Sequence, residues 1–294
     1  KLLELVRIQD MTAYVRRATA KRAVVPRWLG GNLPLSSTLA DAMLARLDGV
    51  SPDNHTAWQA IEPLLAVQQR WSALPSQHYL LIEQWQSREG SHLFFYPFAG
   101  RHVHLGLATL LAWRLAQQEP RTFTMAINDY GFELLCAQPL DAQSLAMTTL
   151  FDVDALQLDI LASLNASELS QRRFREIARV AGLVFQGYPG AKKTARQVQA
   201  SSGLFFEVFR QYDPDNALLH QANQEVLSQE LDHQRLADTL TRLQAMPIKV
   251  QTLQRPTPFA FPLIVERLRE RLSSEQLSDR VARLVKDLER AIET

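Results

Sequence analysis

With a single cysteine, Cys136, in 294 residues, this chain cannot form an intramolecular disulfide or a thiolate zinc cluster. That usage fits a reducing compartment and a cytoplasmic protein. No apolar run approaches the roughly 20 residues a membrane-spanning helix needs, and no charged-then-apolar leader opens the sequence. Glycine is sparse at 11 residues, and none of it builds a phosphate-cradling loop. Such a loop ends in Lys and then Ser or Thr. Gly30-Gly31 runs on into Asn32-Leu33, and Gly187 and Gly190 have the wrong spacing. No acidic magnesium-holding box accompanies them, so ATP hydrolysis is not expected of these residues. There is no initiator Met; Lys1–Ile8 already alternates as a strand does, as expected of a piece of a longer polypeptide.

Charge is plentiful, nearly balanced and unevenly placed. The formal net charge is +1. Residues 1–27 hold seven basic and two acidic side chains, and residues 170–210 hold eight and two. The rest of the chain is left with 17 basic against 27 acidic. Two positive blocks on an acidic background point to a localised anion-binding surface if the fold brings them together, and to separate solvated patches if it does not.

Periodicity gives an α+β protein: a small antiparallel sheet or barrel-like core flanked by many helices, with the C-terminal half mostly helical. We expect one domain over 1–294, strand-rich over 1–135 and mostly helical over 136–294. Strands are expected at 5–8, 13–16, 79–85, 92–98, 122–127 and 132–135, with Ser87–Gly90 closing a hairpin. Helices are expected from Ser37 to Leu47, at 55–71 and at 103–117. Beyond residue 140 they are expected near 153–164, 168–186, 192–210, 215–229, 232–245 and 263–271, and after a capping pattern at Ser273–Gln276. One late strand, 248–253, can return to the earlier sheet.

Two segments carry the candidate chemistry. In 173–193 apolar residues recur at Phe174, Ile177, Ala178, Ala181, Val184 and Phe185, one helical face, while Arg172, Arg175 and Arg179 share another. Gly187, Pro189 and Gly190 are expected to end that helix. A second helix then opens at Lys192-Lys193, carries Arg196, and offers its N-terminal amides to a phosphate. A basic helix pair about a glycine turn suits a nucleic-acid backbone; an ordinary helical hairpin with a solvated face has the same pattern. The other segment is the proline-bounded loop holding Arg27 and Trp28. An indole there can stack on an unpaired base while the arginine holds a phosphate, or it can pin the loop to the sheet. Metal and nucleophile chemistry find little support. His102 and His104 have no third ligand nearby, Cys136 reads as core, and Ser201-Ser202-Gly203 reads as helix interior. Asn128–Gly131 reads as a turn rather than as an Asp129 general base.

The 173–193 segment, with Gln197–Gly203 and Tyr212–Asn216, resembles the C-terminal region of Lhr-type (large helicase-related) DNA helicases, above all the bacterial ligase-associated DEXH-box subgroup. Pro26–Gly31 with Pro34–Ser36, Phe95–His104 and Ala126–Glu133 resemble the same region in the same order. The resemblance implies a DNA-binding accessory domain that grips the tracking strand of an ATP-dependent 3′-to-5′ helicase. Arg27, Trp28, Arg172, Arg175, Arg179, Lys192, Lys193 and Arg196 would be the nucleic-acid contacts, with no catalytic residue, metal or cofactor in this segment. ATP and magnesium would sit in RecA-like motor domains outside this chain, beside a winged helix. Single-stranded DNA or a DNA/RNA hybrid would be the ligand, DNA repair the setting, and a DNA ligase and a metallophosphoesterase nuclease further partners, with no membrane. A DNA glycosylase using Asp129 or Gln197, or a scaffold recruiting the ligase or nuclease, are the alternatives.

Overall fold

The computed structural model describes residues 3–9, 12–18, 35–49, 56–143, 147–184, 187–188, 191–192, 195–270 and 277–292. It separates into two compact units, 1–33 and 34–294. In the first, β1 (Leu3–Gln9) and β2 (Thr12–Arg17) pair antiparallel, with an irregularity between Leu5 and Arg7 where β1 carries the extra residue. Facing side chains support the pairing: Arg16 meets Glu4 at 2.9 Å, and Arg7 lies over the Tyr14 ring.

The second unit begins with α1 (Ser37–Leu47), whose first turn is capped by the Ser36 hydroxyl accepting the Leu39 amide. That hydroxyl satisfies one of the donors a helix start leaves open. Then come α2 (Thr56–Trp71), β3 (Leu80–Ser87), β4 (Gly90–Phe95), α3 (Arg101–Gln118), β5 (Phe123–Ile127) and β6 (Phe132–Cys136). Helices α4 (Met147–Leu150), α5 (Leu156–Ala162) and α6 (Leu164–Val180) follow. A two-rung pair, β7 (Gly187–Tyr188) with β8 (Ala191–Lys192), leads to α7 (Ala195–Tyr212) and α8 (Ala217–Glu225), which continues as a π-helical turn to Glu230. The chain finishes with α9 (His233–Ala245), β9 (Ile248–Leu253), α10 (Ala260–Glu270) and α11 (Leu277–Ile292).

The architecture is α+β around an open five-stranded sheet ordered β5-β6-β4-β3-β9. Neighbours run antiparallel except for β3 and β9, which pair in parallel from Leu80↔Ile248 to Trp85↔Leu253. Alternation along the strands sends side chains to two faces, and each face buries its own core. Leu80, Ile82, Leu93, Phe95 and Phe132 pack with Leu107 and Leu111 of α3 and Leu236 and Leu240 of α9. On the reverse face Leu81, Phe94 and Tyr96 meet Ala40 and Leu44 of α1 and Leu263, Ile264 and Leu268 of α10. A sheet covered by helices on both sides explains why β4 is buried along its whole length and β3 from Leu80 to Glu83.

That second face also buries charge. Glu83 Oε2 accepts the Tyr96 and Thr257 hydroxyls at 2.7 Å each, and its Oε1 accepts Gln68 Nε2 at 2.7 Å. Burial, followed by the Glu83 carboxylate, holds the Tyr96 hydroxyl well above its ordinary pKa, so it remains a donor. Across Phe94 lies Glu133, which accepts Arg267 Nε and meets His92 Nδ1 at 2.6 Å.

A third core joins α6, α7 and α8 through Phe174, Ile177, Ala178, Phe206, Leu219 and Ala222. Phe174 sits edge-on to Phe206 at 5.5 Å and to Phe209 at 5.8 Å, a favoured aromatic geometry. Among the described residues no helix is long and apolar enough to cross a membrane.

Candidate nucleic-acid interface

The basic segment is built on α6, and its helix ends earlier than the sequence suggests. At Gly182 φ is +73°, a conformation that costs a side chain and suits glycine. The Gly182 amide bonds Arg179 O and the Leu183 amide bonds Ala178 O, closing the helix at Val180 rather than at Gly187. Gly187 and Lys192 instead face each other in the β7–β8 pair. The second helix therefore starts at Ala195, after Lys192 rather than on it.

Arg172 and Arg179, seven residues apart, are both exposed on α6, while Arg175 is half-buried and its Nε is enclosed without a hydrogen-bond partner among the described residues. Arg179 meets the exposed Glu176 at 2.5 Å. A surface pair one helical turn apart contributes at most about 1 kcal/mol and yields readily to a phosphate. Phe174, Ile177 and Ala178 are buried as the spacing predicts, whereas Ala181 lies beyond the helix and is exposed. On α7 Phe206 is a buried core residue, with Phe205 and Phe209 packed at its sides. The structure thus gathers Arg172, Arg175 and Arg179 on one helix. Lys192 and Arg196 lie in β8 and α7, but their side chains, like residues Arg27, Trp28 and Lys193, fall outside what is described.

Residues weighed for other chemistry have structural roles. His102 and His104 lie in the first turn of α3. Buried His104 accepts the Ala99 amide on Nε2 at 2.9 Å and donates from Nδ1 to Asn128 O at 2.7 Å. Desolvation lowers its pKa to about 4. Asn128 Oδ1 accepts the Tyr130 and Gly131 amides, forming the expected turn. Asp129 Oδ1 accepts the amides of Arg101 and Leu35, and so caps α3, whose preceding Gly100 has no side chain to do it. Cys136 is buried core. Ser201–Gly203 is interior to α7. Among the described residues no three His, Cys, Asp or Glu side chains gather as a metal site.

The residues that sequence reasoning missed are on α9. Arg235 reaches Leu35 O at 3.0 Å and Ala99 O at 2.8 Å, and Arg242 reaches Pro97 O at 2.7 Å. Together they fasten the 96–100 loop between β4 and α3. The spacing of seven places both arginines on one helix face, the only local signal available.

Comparison with known proteins then defines the class. The profile of the DEAD/H associated family matches residues 74–260, well over half of the chain, so the chain belongs to that family. Its relatives are Lhr-type helicases. It is 23% identical over 283 residues to the ATP-dependent helicase Lhr-Core of Methanocaldococcus jannaschii, covering 92% of this chain and 33% of that protein. It is 25% identical over 268 residues to the ATP-dependent helicase Lhr-Core protein 2 of Thermococcus barophilus, covering 85% and 31%. A Mycolicibacterium smegmatis protein described as Lhr helicase/probable uracil glycosylase is 23% identical over 265 residues, covering 84% and 18%. The solved structure of Mycobacterium smegmatis helicase Lhr bound to ssDNA and AMP-PNP has the same fold, with a TM-score of 0.64 and 22% identity over 83% of this chain and 33% of that one. The chain spans about a third of the length of the Lhr-Core relatives, and it is an Lhr-type helicase region.

Proposed function

We propose that this domain binds the tracking single strand of an ATP-dependent Lhr-like DNA helicase, so that movement of the motor becomes unwinding. The carrying observation is the exposed pair Arg172 and Arg179 on one face of α6, in a family whose relatives are helicases. Guanidinium groups at that spacing grip phosphates without reading sequence. Lys192, Lys193, Arg196, Arg27 and Trp28 extend the grip, the indole by stacking. The same proposal includes 3′-to-5′ movement, a repair setting with ligase and nuclease partners, and ATP and magnesium held by RecA-like domains elsewhere in the polypeptide.

The test is anisotropy of a labelled single-stranded oligonucleotide with the 294-residue chain. Charge reversal by Arg172→Glu with Arg179→Glu should weaken binding alike for all sequences. It should also lower the salt slope by about 1.4, roughly 0.7 for each single-strand phosphate lost. Absence of binding at low salt, or an unchanged slope, overturns the proposal. Magnesium-dependent ATP turnover by this chain alone would overturn its assignment of ATP to other domains.

A further inference from the structure

Two cavities adjoin at Phe98. One is an apolar groove of about 830 Å³ between α1 and α2, walled by the rings of Trp58, Phe98, Tyr130 and Phe259. The other, about 270 Å³, is polar and lies between the N-terminal half of α1 and α9, with Ser37, Arg235 and Arg242 on its walls. We infer that together they form a seat for one unpaired nucleotide, its base in the aromatic groove and its phosphate at Arg242. The inference rests on the nucleic-acid reading of the domain and adds a second contact remote in sequence from α6.

The groove has the composition of a base pocket: broad apolar walls and few polar groups. Tyr130 is 46% exposed and tilts toward Phe98 at 5.5 Å, so its ring is available for stacking. Arg46 lies over Trp58 at 5.1 Å, adding a cation to the wall. Asn128 has committed its Oδ1 to the Tyr130 and Gly131 amides, which leaves its Nδ2 as a donor for a ring nitrogen or carbonyl.

In the polar cavity Arg235 is occupied by two carbonyls and by Asp232. Arg242 is different. Among the described residues it bonds one carbonyl and forms no ion pair, and burial lowers its pKa. A partly desolvated guanidinium with unused donors favours an anion. The opposing charges are Asp41 and Asp238; Asp41 is the one that acts on Arg242, and Asp238 accepts Gln234. Phe98, 4% exposed, lines both cavities, so the aromatic groove and the Arg242 cavity are immediate neighbours, as a base and its own phosphate require.

The experiment uses the 294-residue chain and an oligonucleotide carrying one 5-iododeoxyuridine, photocrosslinked and mapped by mass spectrometry. Crosslinks should fall on peptides containing Trp58 or Tyr130. Tyr130→Ala should weaken binding about tenfold and Tyr130→Phe should restore it, since a stack needs the ring and not the hydroxyl. Arg242→Gln should lower the salt slope by about 0.7. Because that variant also loses the Pro97 bond, Asp41→Asn provides the opposite reading: removing the like charge should tighten binding. If the oligonucleotide binds through α6 while crosslinks fall elsewhere and Tyr130→Ala and Asp41→Asn are neutral, the nucleotide seat is overturned and the groove belongs to a protein surface. Failure of the oligonucleotide to bind at all overturns both readings.

Discussion

At His104 the ring is fixed as the Nδ1-protonated tautomer, because Nε2 accepts an amide and Nδ1 donates to a carbonyl. Protonating Nε2 would break the first bond and place a charge in the core. With a pKa of about 4 in the folded chain and about 6.5 unfolded, the unfolded state binds the extra proton between those values. Stability is therefore fully present above pH 6.5 and is lost as pH falls toward 4, by about 3 kcal/mol from this group. Urea unfolding at pH 7 and at pH 4.5 checks it. His104→Gln keeps an acceptor and a donor but no titration, and should flatten the difference; an equal pH dependence in that variant would remove His104 as the cause. Residues of this kind were only partly legible in the sequence. The Asn128–Gly131 turn was readable because its hydrogen bonds are local. The partners of His104 and Asp129 come from other segments, and no spacing rule announces them.

Among the elements, α10 is fastened to the sheet by charge as well as by its leucines. Arg267 donates to Glu133 at 3.1 and 3.2 Å and to Glu89 at 2.5 Å, and it is 3% exposed. Arg267→Met should cost about 3–5 kcal/mol, since it leaves the Glu133 carboxylate buried with His92 alone on the side-chain side. Chemical denaturation would measure this, and a loss below about 1 kcal/mol would mean that the pair contributes little. The double change Arg267→Met with Glu133→Gln should recover much of the loss, because a neutral amide leaves no orphaned charge and still offers His92 Nδ1 a hydrogen-bond partner. The sequence made the helices and the β3–β4 hairpin legible through their periods. It misplaced the end of α6 because the apolar pattern runs on through Val184 and Phe185, while a single glycine at positive φ decides the stop. The β7–β8 pair was unreadable, since two residues per strand carry no alternation.

For the whole molecule, the candidate site was legible as charge and family pattern rather than as geometry. Arg172 and Arg179 could be placed on one face from spacing alone, whereas Arg242 gained its meaning only when α9 packed beside the 96–100 loop. On the proposed function, Trp28→Ala in the parent polypeptide should impair strand displacement more than oligonucleotide binding. One lost stack is worth roughly 1–3 kcal/mol, and the phosphate contacts persist. Equal losses in both assays, or a lowered melting temperature, would assign the indole to packing instead. The parallel pairing of β9 with β3 has a consequence for how the chain is made. Residue 87 ends β3, and its parallel neighbour β9 does not begin until residue 248. At the roughly 5–20 residues per second of translation, β3 waits about 10–30 s on the ribosome with one edge open. During that wait the α6–α8 bundle can complete its own short-range contacts. An apolar strand with a bare edge is a template for mispairing, so the nascent half-sheet is the species from which a chaperone would most need to keep other chains away.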